Sequence, residues 1–247
     1  MILNFIKGIF GISSPSDLRI LMYHQVSPEK NEARNELDIS VIKLEEQLKY
    51  ISQNFETIFF KELEAKREVK KKLIITFDDG YYNNLVYLVP LLKKYKLKAS
   101  IGIPTKLIEK DLEKIPGLYM SFDQIKSLPE EHVEIVLHSH NHHNYAEMSL
   151  ADAERDIDEN ITTLEKHHIP FSRVLVYPYG KFPKKDVQKK MFFKLLEKKG
   201  IFAALRIGNN LTSFPWKNKY EVKRINIESS DSFATFRKKL RFGKIKF

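Results

Sequence analysis

Continuous apolar runs alternate along the chain with stretches whose apolar residues recur at helical spacing. The runs DLRILMYHQVS (17–27), KLIITF (72–77), KASIGIP (98–104), VEIVLHS (133–139), SRVLVYPYG (172–180), IFAALRI (201–207) and YEVKRINI (220–227) read as strands, with TIFF (57–60) as a short one. KLIITF has the β-branched, unbroken apolar character of a strand buried on both faces. Between the strands, SVIKLEEQLKYISQNF (40–55) carries Val41, Leu44, Leu48 and Ile51 on one helical stripe. KELEAKREVKK (61–71) predicts a helix with a charged end, and LVYLVPLLKKYK (85–96) a helix with Pro90 in or beside it. SFDQIKSL (121–128) and SLADAERDIDENITTLEKHH (149–168) begin at Ser121 and Ser149, side chains suited to capping a first turn. The second of these also has acids early and Lys166 with two histidines at its end, matching the helix dipole. DVQKKMFFKLLEKKG (186–200) is a helix stopped by Gly200.

Strand and helix taking turns along the whole length imply an α/β fold, a parallel sheet with helices outside it. About seven such units without a glycine-rich nucleotide turn favour a (β/α) barrel, closed or distorted, of about seven parallel strands. No repeat, linker or low-complexity tract divides the chain, so residues 1–247 are expected to form a single domain.

Composition adds a packed interior, with 43% hydrophobic residues including 17 Phe and 11 Tyr, and no cysteine for disulfides or thiolate metal sites. The formal charge of +10 points to anionic surroundings, although short lysine runs such as KREVKKK and KKYKLK are ordinarily solvated faces. No recognised nucleic-acid module accompanies that charge. The opening MILNFIKGIFGISS is shorter than the ~20 apolar residues a span needs, and it lacks the preceding charge of a secretory signal. It mixes bulky apolar residues with lysine, as does FRKKLRFGKIKF (236–247), so residues 1–16 and the tail could lie on an anionic membrane surface, packing on the domain being the alternative. A cytoplasmic, membrane-associated location is accordingly expected over an exported one.

Three polar clusters fall at strand C-terminal ends, where barrel enzymes place their chemistry. They are Asp78-Asp79 after LIITF, HSHNHH (138–143) after VEIVL, and YPYG (177–180) after RVLV. An Asp-Asp-Gly is commonly just a turn, but four histidines within six residues directly after an apolar strand are not an ordinary loop. One carboxylate and two imidazoles suit a divalent metal, and a second carboxylate beside it could take a proton from an attacking water.

In this order the clusters resemble the polysaccharide deacetylase family, the NodB-homology domain or carbohydrate esterase family 4. TFDDG (76–80) resembles its first motif, HSHNH (138–142) its second, and YPYG the end of its third. ILMYHQVSP (20–28), FETIFFKEL (55–63) and YEVKRINIESSDSFATF (220–236) resemble the subgroup that contains the poly-N-acetylglucosamine deacetylases, over roughly residues 18 to 240. The resemblance implies Asp78 as general base and Asp79, His138 and His142 as ligands of a divalent metal, usually zinc. His143 is an alternative to His142. The substrate implied is an N-acetylated amino sugar in a cell-envelope glycan or glycolipid. A backbone N–H, such as that of Tyr179, would hold the developing oxyanion, and Tyr81, Tyr179 and Trp216 could stack on sugar rings, core packing being the alternative for Tyr81 and Trp216.

Two departures stand out. Where the third motif usually carries an arginine that orients the base, this chain has Val176, the nearest arginine being Arg173. No histidine follows His168, so the family's late Leu-x-His motif, source of the general acid, has no counterpart. His24 in LMYH is expected to fill that role, because in a closed barrel the first and last strands are neighbours. Two other readings remain beside deacetylation: hydrolysis of a non-sugar amide on the same fold, and a catalytically idle glycan-binding protein.

Overall fold

A computed structural model describes residues 17–28, 35–63, 69–112 and 117–243. Residues 1–16 and the last four residues of the tail lie outside this set, and so does the membrane-surface expectation placed on them. No helix among the described residues is long and apolar enough to cross a membrane.

The strands in chain order are β1 (Asp17–Tyr23), β2 (Gln25–Ser27), β3 (Asp38–Ser40), β4 (Glu56–Thr57), β5 (Lys72–Phe77), β6 (Ala99–Ile103), β7 (Val133–Leu137), β8 (Ser172–Val176), β9 (Ala203–Ile207), β10 (Thr212–Ser213) and β11 (Val222–Asn226). Seven of them, β1, β5, β6, β7, β8, β9 and β11, pair in parallel in that cyclic order. The ring closes where β1 lies between β5 and β11, Arg19–Tyr23 opposite Leu73–Phe77 and Leu21 opposite Ile225. The expected barrel is therefore present and closed. β10 pairs antiparallel with the first residues of β1, β4 with the first residues of β5, and β2 with β3 in a small separate ladder.

Period-two alternation divides the apolar residues into two clusters. Ile20, Ile74, Val136, Val174, Val176, Leu205 and Val222 fill the barrel interior. Leu21, Leu73, Ile75, Phe77, Ile135, Leu137 and Ile225 face outward, under the helices. The parity has a chemical consequence. On β5 the inward side holds Ile74 and Thr76, and then Asp78 just past the strand. On β7 it leads from Val136 to His138, on β11 from Val222 to Arg224, and on β1 from Ile20 through Met22 to His24. Where the apolar filling ends, at the strands' C-terminal mouth, polar side chains continue the same inward faces.

The helices Val41–Asn54, Phe122–Lys126, Leu150–Lys166 and Asp186–Lys198 match the expected ones, with Ser121 and Ser149 as caps. The segment around Pro90 forms a π turn over Asn84–Leu88 that runs into the helix Val89–Tyr95. Two details depart from expectation. TIFF contributes only Thr57 to β4, and Phe60–Glu62 forms a 3-10 turn. The cause is Glu134 of β7, whose carboxylate accepts from the backbone N–H groups of Phe60 and Lys61 and from the hydroxyls of Ser100 and Ser172. The helix expected over residues 61–71 does not form in its described part: Lys61 and Glu62 belong to the 3-10 turn and Lys70 and Lys71 form a turn before β5, while residues 64–68 lie outside the described set. An unanticipated helix, Thr105–Asp111, follows β6.

Candidate active site

The mouth of the barrel gathers Asp78, Asp79, His138, His142, His24 and Arg224. Asp78 leaves β5 with its N–H donating to Tyr23 O on β1 (2.9 Å), so the strand pairing itself fixes its direction. Its carboxylate is 2% exposed and takes a two-pronged contact from Arg224, Nη1 to Oδ1 at 2.6 Å and Nη2 to Oδ2 at 2.8 Å. Arg224 Nη1 also donates to Thr76 Oγ1, which donates to Leu21 O. Burial alone would push the Asp78 carboxyl up, but the Arg224 guanidinium, by charge and hydrogen bonding, holds it below its ordinary value, helped by His138 and His24.

The chain then turns sharply. Asp79 has φ +74 and Gly80 φ +66, a left-handed pair that swings the second carboxylate across the mouth, away from the first. Asp79 Oδ1 lies 3.2 Å from Nε2 of His138 and 3.2 Å from Nε2 of His142. Neither contact has hydrogen-bond geometry, so this buried oxygen faces two nitrogens and bonds to neither. His138 Nδ1 is engaged with Val176 O at 2.9 Å, which orients the ring with Nε2 toward Asp79. Among the described residues, Asp79, His138 and His142 form the one group of at least three such side chains whose ligand atoms lie close enough, within 4.8 Å, to hold a metal ion. Burial pushes Asp79 up, yet the facing imidazoles hold it well below the ordinary carboxylate value; burial likewise lowers His138, but Asp79 and Asp78 raise it overall. A cation seated between them would compete with protonation of these groups.

Space and scaffolding for the histidines come from neighbouring elements. A Cβ on Gly102 of β6 would come within 3.2 Å of His138 Cβ, so glycine there lets the His138 side chain pass. From the inner face of Leu150–Lys166, Asn160 accepts from His138 N and donates to Ile103 O and Thr105 Oγ1. One turn earlier, Asp156 accepts from the N–H groups of His140 and Asn141 and from the Tyr145 hydroxyl. Ser139 Oγ accepts from His142 N.

The remaining sequence-predicted residues divide. His24 enters the site, its Nε2 3.7 Å from Asp78 Oδ2 and its Nδ1 buried without a hydrogen-bond partner. Burial lowers its pKa, with Asp78 and Asp79 opposing. Tyr179, with φ +58, is 61% exposed at the rim and meets His142 edge-on at 5.0 Å. Tyr81 stacks on Tyr119 beside Asp79, and burial together with the Asp79 charge pushes its phenol up. His143 is exposed and outside the metal-competent group, and His140 pairs instead with Thr105 Oγ1. Trp216 is a correction. It packs on Phe202, which precedes β9, and on Phe214, which follows the β10 segment paired to the start of β1. That is the opposite end of the barrel, so the structure does not bring Trp216 to the site. Arg173 is also remote, bonded to Lys199 O beneath β9. The guanidinium missing at Val176 is supplied by Arg224, which sequence reasoning overlooked.

Comparison with known proteins agrees with this geometry. The family model described as polysaccharide deacetylase matches residues 65–195, more than half of the chain, and the chain belongs to that family. The putative polysaccharide deacetylase YxkH of Bacillus subtilis (strain 168) is 25% identical over 174 residues, covering 68% of this chain and 58% of that protein, so the match spans less than two thirds of the relative. Among solved structures, Streptococcus pyogenes deacetylase PplD in complex with acetate superposes with a TM-score of 0.76 at 19% identity, covering 92% of this chain and 99% of that one. IcaB from Ammonifex degensii gives 0.72 at 18%, covering 92% and 96%, and the de-N-acetylase from Aggregatibacter actinomycetemcomitans gives 0.74 at 16%, covering 90% and 99%. These structures share the fold. His24 and Arg224 both lie outside the residues matched by the family model, and barrel closure between β1 and β11 brings them to the residues within it.

Proposed function

We propose that this protein is a metal-dependent hydrolase that removes the N-acetyl group from an amino sugar of a cell-envelope glycan or glycolipid. The observation that carries the reading is Asp79 Oδ1, buried, unbonded and faced at 3.2 Å by Nε2 of both His138 and His142. Three inward atoms of this chemistry, with the His138 ring held from its other nitrogen by Val176 O, suit a divalent cation, and zinc fits an imidazole-carboxylate set best. When bound, the cation would supply Lewis-acid polarisation of the acetamide carbonyl and lower the pKa of a water at the site.

The protein's own groups account for the proton movements. Asp78, kept ionised by Arg224, is the base that takes a proton from the attacking water. His24 Nε2, 3.7 Å from Asp78 Oδ2, receives from Asp78 the proton taken from the water and passes it to the departing amine, giving acetate and the free amino sugar. The Tyr179 N–H, on the left-handed turn at the rim, donates to the acetamide oxygen as it gains charge. The exposed Tyr179 ring and the Tyr81–Tyr119 stack offer aromatic faces to the sugar. Acetate release from an N-acetylglucosamine oligomer tests this. The wild type should release acetate and Asp78→Asn should not; metal content without acetate release by the wild type would overturn the reading.

A further inference from the structure

Two asparagines grip the segment that carries His24. The β1–β5 ladder ends at Tyr23 and Phe77, and the chain then turns away at Asp79 and Gly80, so His24 lies beyond the last paired residue. Its carbonyl accepts instead from Asn84 Nδ2 at 2.9 Å. Asn83 Oδ1 accepts from Val26 N at 3.2 Å, and Asn83 Nδ2 donates to Gln25 Oε1 at 3.4 Å. Asn84 opens the π turn Asn84–Leu88, a form that occurs mostly as single turns and often at functional sites.

These contacts fix which way the Asn84 amide faces. Val26 N only donates, so the Asn83 atom it meets is the carbonyl oxygen. Asn84 meets that oxygen at 3.2 Å and the His24 carbonyl at 2.9 Å, and two acceptors require its nitrogen at that end. Asn84 Oδ1 is left as an acceptor, fully buried and without a hydrogen-bond partner, a costly state for an amide oxygen. On the residue whose carbonyl Asn84 holds, His24 Nδ1 is likewise buried and unpartnered. Burial lowers the His24 pKa, with Asp78 and Asp79 opposing, so the ring is neutral near neutral pH and its tautomer matters. Of the two neutral tautomers, only the one protonated at Nδ1 supplies the donor that Asn84 Oδ1 lacks. Asp78 makes no competing claim: Nε2 lies 3.7 Å from its Oδ2, beyond hydrogen-bond range, and Arg224 takes both of its oxygens.

We propose that Asn84 is the positioning residue of His24, holding its backbone through Nδ2 and accepting from its Nδ1–H through Oδ1, directly or by way of one bridging water. The Nε2 lone pair is then left toward Asp78. That nitrogen must be bare to receive the proton Asp78 has taken and pass it to the amine, so the role of Asn84 rests on the deacetylase reading above. Asp78, His24 and Asn84 form a series in which a third group orients the imidazole that moves the proton.

Long-range proton–nitrogen correlation spectra of the zinc-loaded protein, isotope-labelled at the histidine rings, report the tautomer. The His24 signals are those missing from His24→Ala. Above neutral pH the wild type should show His24 protonated at Nδ1 and bare at Nε2; the opposite tautomer overturns the proposal whatever the variants do. Asn84→Leu keeps the branched shape without either polar contact, and Asn84→Asp keeps an acceptor while losing the donor to His24 O. Asn84→Leu should lose the preference for Nδ1–H and lower kcat by about tenfold or more, within the roughly 10²–10⁴-fold cost of losing a general acid outright. KM for an N-acetylglucosamine oligomer and metal content should not change, because Asn84 is fully buried and outside the ligand group. Asn84→Asp should keep Nδ1–H and recover most of the turnover. A merely structural clamp predicts otherwise, since a carboxylate facing the His24 carbonyl holds the segment no better than leucine. Asn84→Asp no more active than Asn84→Leu therefore overturns the proposal, and if Asn84→Leu does not fold, the wild-type spectrum and Asn84→Asp decide. A wild type that shows Nδ1–H but releases no acetate overturns the deacetylase reading and leaves the tautomer assignment standing.

Discussion

Asp78 and Arg224, 146 residues apart in the chain, are joined by two parallel contacts of 2.6 and 2.8 Å, both side chains almost wholly buried. The pair exists because β1 closes the ring between β5 and β11, placing the end of the first motif strand near the last strand. A guanidinium fork fits both carboxylate oxygens at once and fixes the orientation of the carboxylate as well as its charge. The Asp78 carboxylate is therefore held by the closure of the fold itself.

Arg224→Met should leave a buried, unpaired carboxylate and destabilise the protein by about 3–5 kcal/mol near neutral pH. Arg224→Lys keeps a positive charge but loses the fork, and should retain more stability than activity. The pH dependence has a definite sign. Folding lowers the Asp78 pKa below its ordinary 3.8, so the pair's contribution is complete above that value and is lost as pH falls through the lower folded-state pKa. Denaturant titrations should show the gap between wild type and Arg224→Met closing toward acid pH; a gap independent of pH would contradict the ion-pair account.

Replacing His24 with Ala should lower turnover by about 10²–10⁴-fold, the usual range for losing a general acid. His24 approaches Asp78, and it is not a member of the Asp79, His138, His142 group, so metal content should be unchanged. Metal analysis and acetate release measured on one preparation decide the matter. Full turnover without His24 would remove it from the mechanism.

Exhaustive chelation should abolish acetate release, and adding back zinc should restore it. Asp79→Asn should lose both metal and activity, because the amide offers a weaker ligand where the buried Oδ1 now stands. Asp78→Asn should keep the metal and lose activity. Identical metal loss in the two variants would dismiss the division of labour between these adjacent acids.

Much of this site was legible in the chain before its fold. The alternation in KLIITF followed by Asp78, and in VEIVL followed by His138, places both side chains on an inward face once a barrel is inferred. His24 was within reach for the same topological reason. Arg224 was not, because one arginine in VKRIN looks like a solvated position until Val222 is known to face the interior. Its signal was parity: Arg224 lies two residues after Val222. Trp216 misled because loop composition does not say at which end of a barrel a loop lies. The helix Thr105–Asp111 escaped notice because Pro104 supplies no side-chain cap.

Asp156 acts on the site only through the loop after β7. Its carboxylate, 2% exposed, binds the backbone of His140 and Asn141 and the Tyr145 hydroxyl, and so shapes the loop that carries His138 to His142. His142 must adopt φ +55 for its ring to reach Asp79, a conformation that the loop has to enforce. Asp156→Asn replaces an acceptor with a donor opposite one of these N–H groups, and it should relax the loop without emptying the core. Metal affinity should fall by about 10–100-fold, the usual cost of losing a partner behind the ligands. Excess metal should then restore most of the turnover, because Asp78, Arg224 and His24 are held by other strands. A variant that binds metal normally but turns over slowly would show that the loop positions substrate instead, and one that unfolds would be compared with Tyr145→Phe, which removes a single donor to the same carboxylate.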